Sequence, residues 1–247
     1  MSFEMKNELT FCVSGRYALF SDPLTRLGGE KSTLMVPSYQ ALKGIAESIY
    51  WKPSFIWVID KVRVMKPIRT ESKGIRPIGY GGGNDLSIYT YLRDVVYIVS
   101  AHFEFNTNRA DLKQDWNENK HYFIAKRCIE KGGRRDVFLG TRECQAYVEP
   151  ASFDDGEGYY DHMGEMEFGF SYHSIRYPDE NGTDQMEALF WRPKMNNGII
   201  NFCRPDQCPQ KTFLREMKPK IFNDDHFSGF LEEGLLDNYE SAGGDKQ

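Results

Sequence analysis

The stretch SYQALKGIAESIYWKPSFIWVIDKVRVM, residues 38–65, sets a helix directly before a strand. Ser38 is suited to cap the helix. Apolar side chains then recur at helical spacing until Pro53 forbids continuation, at Leu42, Ile45, Ala46 and Ile49. The helix is therefore predicted to end near residues 50–51. Residues 55–65 are rich in β-branched and aromatic side chains, which favours a strand.

Three further strands are predicted around this helix and strand. Residues 9–14 alternate apolar with small or polar side chains, which is the pattern of a half-buried strand, and residues 95–105 do the same. Residues 144–148 favour a fourth strand. Residues 66–92 lie between the second and third strands as an insertion that is long enough to form a hairpin.

A second helix is predicted between the third and fourth strands. Asn117 or Asn119 can cap it, and it runs through Ile129 until Gly132 and Gly133 stop it. The resulting order of strand, helix, strand, strand, helix, strand is that of the ferredoxin-like (RRM-like) unit.

We therefore predict an α+β protein with three parts. Residues 1–150 form the ferredoxin-like domain, with the hairpin insertion near residues 66–92. Residues 151–222 contain only short strand patterns and turns, which predicts a small antiparallel β-sheet domain. Residues 223–247 hold seven acidic side chains against one basic one and read as an acidic tail, either weakly helical or disordered.

The net charge of −5 hides an uneven distribution. Residues 223–247 carry −6, so residues 1–222 carry +1. Two stretches of the body are basic: residues 61–76 hold six bases and one acid, and residues 126–142 hold six bases and two acids. Such patches are typical either of solvated strand edges and loops or of a nucleic-acid surface, and the charge alone leaves both open.

The cellular compartment is predicted from what the sequence lacks. The longest apolar runs fall short of the ~20 residues needed to span a bilayer, and charged residues stand where a secretory signal needs an apolar core. The five cysteines include no Cys-x-x-Cys pair, so they are interpreted as reduced thiols rather than as a zinc site. We expect a cytoplasmic protein with no membrane partner and no metal or other cofactor.

The adjacent residues Lys120 and His121 are the strongest candidates for catalysis. They fall in the first turn of the second helix, where free backbone N–H groups and the helix dipole disfavour a positive imidazole. A neutral imidazole can accept a proton, and Lys120 offers a fixed positive charge beside it. In a ferredoxin-like unit the end of the first helix meets the start of the second, so Tyr50 is predicted at the same edge. Spacing alone leaves open that these are a half-buried aromatic and a surface dipeptide.

Other titratable residues carry weaker signals. His102, His173 and His226 have no charged partner at a telling spacing and are predicted to be structural. The acidic loop at residues 154–157, together with His162, could hold a divalent metal in a nuclease site. Acidic residues bunched in a glycine-rich stretch are more often a solvated loop, which is the interpretation we favour.

Several long segments closely resemble one CRISPR-associated family, the Cas "five-d" (also "five-c") family of type I-C systems, Dvulg subtype, within the RAMP superfamily. The resemblance extends from about residue 9 to residue 222 and leaves only the acidic tail outside. The segments that carry it are YALF at 17–20 with DP at 22–23, VPSYQALKGIAESIYW at 36–51, NKHY at 119–122 and GGRRDVFLGTREC at 132–144.

The resemblance implies an endoribonuclease that acts on the repeat hairpin of precursor CRISPR RNA. Members of the family cut this RNA without a metal and then stay on its 5′ handle, bound to the other subunits of the type I-C interference complex. In such families a tyrosine, a lysine and a histidine form the active site. These fall here on Tyr50, Lys120 and His121.

The hypothesis is that the RNA 2′-hydroxyl attacks the neighbouring phosphate and leaves a 2′,3′-cyclic phosphate and a 5′-hydroxyl. His121 would transfer the proton and Lys120 would stabilise negative charge, while Tyr50 would orient the hydroxyl or share in the proton transfer; which of Tyr50 and His121 is the general base stays open. Two alternatives stay open: a subunit that binds the RNA handle without cutting it, and a metal-dependent nuclease acting on DNA through the acidic loop. The candidates for gripping the RNA backbone are Arg69, Lys73, Arg76, Arg134 and Arg135.

Overall fold

A computed structural model describes residues 7–23, 25, 29–78, 81–83 and 85–219. The acidic tail predicted at 223–247 and His226 lie outside the described residues. The described chain forms helices α1 (Tyr39–Ile49), α2 (Glu118–Glu130) and α3 (Pro178–Asn181). Its strands are β1 (Leu9–Ala18), β2 (Phe55–Val64), β3 (Thr70–Ile75), β4 (Ser87–Phe105), β5 (Val137–Phe138), β6 (Gln145–Pro150), β7 (Glu165–Glu167), β8 (Ser171–Arg176), β9 (Gln185–Trp191), β10 (Lys194–Asn196), β11 (Ile199–Asn201) and β12 (Gln210–Glu216).

The predicted ferredoxin-like order is present, and the α+β class is confirmed. In chain order β1, α1, β2, β4, α2 and β6 alternate as strand, helix, strand, strand, helix, strand. The four strands lie side by side in the order β6-β1-β4-β2, and each neighbouring pair is antiparallel. Both helices pack on this sheet, which buries their apolar sides in one continuous core.

Side-chain caps fix where the two helices begin, as the sequence predicted. The Ser38 hydroxyl accepts a hydrogen bond from the backbone N–H of Ala41, at 3.2 Å. Of the two candidate caps for α2, it is Asn117 that acts: its side-chain oxygen accepts from the N–H of Lys120, at 3.0 Å. Helix α1 ends with Tyr50 as its C-cap residue. These caps set the positions of Tyr50 and Lys120.

Strand β4 is much longer than the segment predicted from residues 95–105. It has 19 residues and pairs with β1 and β2 toward its C-terminal end and with β3 toward its N-terminal end. The insertion near residues 66–92 is therefore a β3–β4 hairpin, as predicted, and it prolongs β4 beyond the sheet. At ~3.3 Å per residue, Leu92 lies about 40 Å along the strand from Phe105.

The strands after residue 150 divide between two sheets rather than forming one separate sheet over 151–222. Strand β11 pairs with the free edge of β2, and β10 and β7 continue from it, so the large sheet gains three strands from this part of the chain. Strands β8, β9 and β12 form a second sheet of three strands. The physical reason is that the edge of β2 presents unpaired backbone groups, which β11 satisfies.

Within the described ranges, no helix is both long enough and apolar enough to cross a membrane.

Candidate active site

Tyr50 and His121 meet at one edge of the sheet, where topology predicted them. The Tyr50 hydroxyl lies 2.8 Å from Nδ1 of His121, which is a hydrogen bond across 71 residues of chain. Trp57 donates its ring N–H to the backbone carbonyl of Tyr50, at 2.7 Å, and so fixes the end of α1 against β2. The pair is therefore held from both the helix and the sheet.

The partner of Nε2 shows which tautomer of the neutral His121 ring is present. Nε2 lies 2.8 Å from the backbone carbonyl of Asp115, and a carbonyl can only accept, so Nε2 carries a proton. In the neutral ring Nδ1 is then the free acceptor, and the Tyr50 hydroxyl donates to it. This tautomer leaves a proton-accepting nitrogen facing Tyr50.

Lys120 lies next to this pair but points outward. Its side chain is 49% exposed, and its Nζ donates to the Asp115 carboxylate at 2.6 Å. Ser54 donates to the other carboxylate oxygen at 2.7 Å. Burial on its own raises the pKa of the Asp115 carboxyl, but the bonds from Lys120 and Ser54 hold it below its usual value. Asp115 is thus a charged partner that occupies Lys120.

Burial also decides what the Tyr50 hydroxyl can do. Loss of solvent, reinforced by the nearby Asp115 carboxylate, raises the pKa of Tyr50 to about 12. The hydroxyl therefore stays protonated near neutral pH and acts as a donor to His121. This favours His121 over Tyr50 as the group that finally takes up a proton.

The pair is closed from solvent in this structure. Tyr50 is 1% exposed and His121 0% exposed. A short 3₁₀ turn, Ala110–Asp115, supplies the carbonyl and the carboxylate that contact His121 and Lys120. The next residue, Trp116, stacks on Phe105 with ring centroids 5.5 Å apart. The turn therefore lies against His121 and Lys120.

Asp115 and its turn were not found from the sequence. An aspartate two residues before a cap residue carries no signal of its own, and the 3₁₀ turn has no apolar period. Only the fold shows that the chain reverses here and places Asp115 over His121.

Of the five candidate RNA-binding residues, Arg134 and Arg135 lie beside this site. Their backbone N–H groups donate to the carbonyls of Ile49 and Ser48, at 3.1 and 3.2 Å, and so cap the end of α1 just before Tyr50. Both side chains are exposed. They form a cationic rim at the edge of the sheet that holds the pair.

The other three candidates lie on or beside the β3–β4 hairpin, far from the pair. Arg69 and Arg76 are exposed. Lys73 is already engaged, because its Nζ lies 3.3 Å from the ring centroid of Tyr17 and 3.8 Å from a carboxylate oxygen of Glu71. The structure thus separates the predicted RNA grip into a patch beside the pair and a patch on the hairpin.

The acidic loop around residues 154–157 is organised by an arginine. Arg63 donates to the backbone carbonyls of Phe153, Asp155 and Gly156 and forms a 2.6 Å ion pair with Asp161. Arg63 belongs to the basic stretch 61–76, yet it is buried, and its charge is neutralised by Asp161 rather than presented to solvent. Since a guanidinium fills the centre of the loop, this geometry supports the structural interpretation of the loop over a metal site.

His102 departs from its prediction as a histidine without charged partners. Its Nδ1 lies 2.9 Å from the Asp60 carboxylate and its Nε2 3.4 Å from that of Glu104. Burial opposes protonation of the ring, but these two bonds outweigh it and raise the pKa of His102. Asp60 was missed because it comes from the neighbouring strand, which sequence spacing does not show. Glu104 lies two residues along the same strand, a spacing that does place it on the same face, and it was overlooked.

Fold and site together define an α+β protein with a hydrogen-bonded tyrosine–histidine pair and an ion-paired lysine at one sheet edge. Such an arrangement suits proton transfer beside an anion. The chain belongs to the CRISPR-associated Cas5d family: the family model Cas_Cas5d, described as CRISPR-associated protein (Cas_Cas5), matches residues 8–203.

Relatives of known sequence or structure agree with this assignment. The chain is 30% identical to the CRISPR pre-crRNA endoribonuclease Cas5d of Mannheimia succiniciproducens, over 80% of this chain and 95% of that protein. A crystal structure of a CRISPR-associated protein superposes with a TM-score of 0.71 at 36% identity, covering 83% of this chain and 96% of that one. The uncharacterised SMU1763c from Streptococcus mutans gives 0.70 at 38% identity, with the same coverage of both chains.

Proposed function

We propose that this protein is a metal-independent endoribonuclease that cuts the repeat hairpin of precursor CRISPR RNA. The observation that carries the proposal is the 2.8 Å hydrogen bond between the Tyr50 hydroxyl and Nδ1 of His121, with Lys120 adjacent. The name of the Mannheimia succiniciproducens relative, a pre-crRNA endoribonuclease, supports the choice of substrate.

The proposed reaction runs through a proton relay. The RNA 2′-hydroxyl gives its proton to the Tyr50 oxygen while Tyr50 passes its own proton to Nδ1 of His121. The 2′-oxygen attacks the adjacent phosphorus, and the bond to the 5′-oxygen breaks. The products are a 2′,3′-cyclic phosphate and a 5′-hydroxyl, because the expelled 5′-oxygen takes a proton from water and His121 then gives its extra proton to the solvent. Lys120 stabilises the negative charge that develops on the phosphorane.

The turn Ala110–Asp115 must move aside when RNA binds, because Asp115 contacts both Lys120 and His121. We infer that a phosphate of the RNA replaces the Asp115 carboxylate on Nζ of Lys120. Both are anions, so the lysine keeps a partner throughout, and the ion pair that is broken is worth only ~0–1 kcal/mol at a site this exposed. Movement of the turn then admits the 2′-hydroxyl to Tyr50.

The remainder of the substrate lies along the cationic surfaces. Arg134 and Arg135 grip phosphates beside the cut, while Arg69 and Arg76, with a smaller part for Lys73, hold the RNA near the β3–β4 hairpin. After cutting, the protein stays on the 5′ handle as a subunit of the type I-C interference complex. It acts in the cytoplasm.

The decisive experiment uses the purified full-length protein and a repeat hairpin from the CRISPR array of the same genome, in excess EDTA. We expect a single cut whose 5′ fragment ends in a cyclic phosphate, and no cut in a matched hairpin carrying 2′-deoxyribose at that position. Cutting of the deoxy-substituted hairpin at the same bond would show that the 2′-hydroxyl is not the nucleophile.

One observation favours a second function, that of a subunit which binds the RNA handle without cutting it. Tyr50 and His121 are fully buried, as a purely structural pair would also be. The same experiment separates the two, because such a subunit binds the hairpin with the same salt dependence and releases no cut product under any metal condition.

A further inference from the structure

A second buried cluster of reactive side chains lies where the two sheets meet. His173 is on β8, Cys203 follows β11 and Cys208 precedes β12. One ring nitrogen of His173 and the two sulfur atoms all lie within 4.8 Å of one another. His173 stacks on Tyr39 at the start of α1, the opposite end of that helix from Tyr50. Within the described residues this is the one group of three or more His, Cys, Asp or Glu side chains in which one ligand atom from each lies within 4.8 Å of all the others.

A β-bulge aims His173 into this cluster. The pairing of β8 with β9 shifts between Tyr172 and Ser174, so His173 is the inserted residue, and both His173 and Ser174 turn into the protein. Nδ1 of His173 lies 2.8 Å from the Ser174 hydroxyl, and Nε2 lies 3.0 Å from the Cys203 carbonyl oxygen. A carbonyl only accepts, so a metal bound at Nε2 would replace the proton that this nitrogen donates, and Nδ1 would then donate to Ser174. A polar partner on one ring nitrogen that orients the other is the usual support of a histidine ligand.

The two sulfur atoms are spaced as metal ligands are. Sγ of Cys203 and Sγ of Cys208 lie 3.7 Å apart, and both cysteines are free. Two thiolates on one tetrahedral zinc, each at ~2.3 Å from the ion, stand about 3.8 Å apart. A disulfide would require about 2.0 Å. The 3₁₀ turn Pro205–Gln207 bridges the two cysteines and brings both sulfurs to one side.

We propose that His173, Cys203 and Cys208 bind one zinc ion. Two thiolates and an imidazole form the soft donor set that zinc prefers, and three protein ligands leave the fourth position for water, which the half-buried Cys203 admits. The ion joins β8, the chain after β11 and the start of β12. It therefore ties the second sheet to the edge of the large one. The proposal is independent of RNA cleavage.

Cobalt(II) titration of the reduced full-length protein tests the site. We expect uptake of one cobalt ion per chain, with a thiolate-to-cobalt charge-transfer band and the intense visible bands of tetrahedral cobalt, and displacement of both by zinc. Zinc should also raise the midpoint of thermal unfolding.

Matched variants decide whether these three side chains are the ligands. Cys203→Ser and Cys208→Ser should each abolish the charge-transfer band or reduce it to about half, whereas Cys12→Ser, a half-buried cysteine in β1, should leave it unchanged. His173→Gln replaces the imidazole by an amide that still fills part of its space in the core. It therefore tests whether the ring nitrogen is a ligand. Absence of stoichiometric binding in the reduced wild type, or a spectrum unaffected by Cys208→Ser, overturns the proposal.

Discussion

His121 and His173 are equally buried, yet their surroundings suit opposite chemistries. Both rings are 0% exposed, and each has both nitrogens hydrogen-bonded. His121 has a tyrosine hydroxyl on one nitrogen and a cation one residue away in the chain, which suits the movement of a proton. His173 has two thiols within reach, which suits a metal ion. The comparison teaches that burial does not identify a functional histidine, whereas the donors and acceptors around the ring do.

The largest effect should come from His121→Ala. We expect single-turnover cleavage of the repeat hairpin to fall by about 10²- to 10⁴-fold, since this is what a positioned proton-transfer group contributes. Binding of the hairpin, measured by fluorescence anisotropy, should change little. His162→Ala, at an exposed histidine, is the control. Equal losses of the cleavage rate in the two variants would contradict a specific role of His121 in proton transfer.

Lys120→Ala should have the next largest effect on the rate. Removal of one charge-stabilising donor costs about 10²- to 10³-fold in comparable sites. Lys126→Ala removes an exposed lysine from the same helix and is the control. Single-turnover rates measured at saturating RNA separate this loss from weaker binding. If only binding is weakened, Lys120 does not stabilise the transition state.

The cationic patch formed by Arg134 and Arg135 should affect RNA binding, whereas the Tyr50–His121 pair should affect the cleavage rate. Arg134→Ala with Arg135→Ala should weaken RNA binding and lower the slope of log affinity against log salt by about one for each phosphate that is no longer neutralised. The rate at saturating RNA should fall much less than in His121→Ala. Arg192→Ala, an exposed arginine near the second sheet, should leave the slope unchanged.

Asp115→Asn tests whether the turn covers the pair. Loss of the carboxylate removes the competitor for Nζ of Lys120, so hairpin binding should tighten by up to about fivefold, in line with the ~0–1 kcal/mol of an exposed ion pair. The backbone carbonyl that orients His121 remains. Ser54→Ala, which removes another partner of Asp115 without changing charge, is the comparison. Weaker binding in Asp115→Asn would show that the turn does not compete with RNA.

The smallest effect concerns stability and a third histidine, His102. Because its folded-state pKa is raised, its contribution is present below the unfolded value of about 6.5 and is lost as the pH rises through the folded value. The unfolding midpoint of the wild type should therefore exceed that of His102→Gln by more at about pH 6 than at about pH 8.5. A difference that is constant with pH would contradict this.

The helix and strand pattern, and the meeting of Tyr50 with His121, could be predicted because each depends on local signals and a simple rule. Ser38, Asn117 and Pro53 mark helix ends, and reversal of the chain at each element brings the end of α1 to the start of α2.

The remaining features depend on contacts that sequence spacing does not encode. Asp115 covers His121 only because a 3₁₀ turn folds back, and His173 reaches the cysteines only through a β-bulge. Arg63 looked like part of a basic surface, but in the fold it is the buried centre of the loop that contains residues 153–156. Each of these needs knowledge of which strands are neighbours.

The length of strand β4 limits which RNA can contact both the hairpin and the Tyr50–His121 pair. It joins the hairpin to the sheet edge that holds Tyr50 and His121, and it is paired with neighbours along most of its length, so Leu92 and Phe105 are held about 40 Å apart along the strand. An RNA that contacts the hairpin arginines and Tyr50 at the same time therefore has to extend along most of β4.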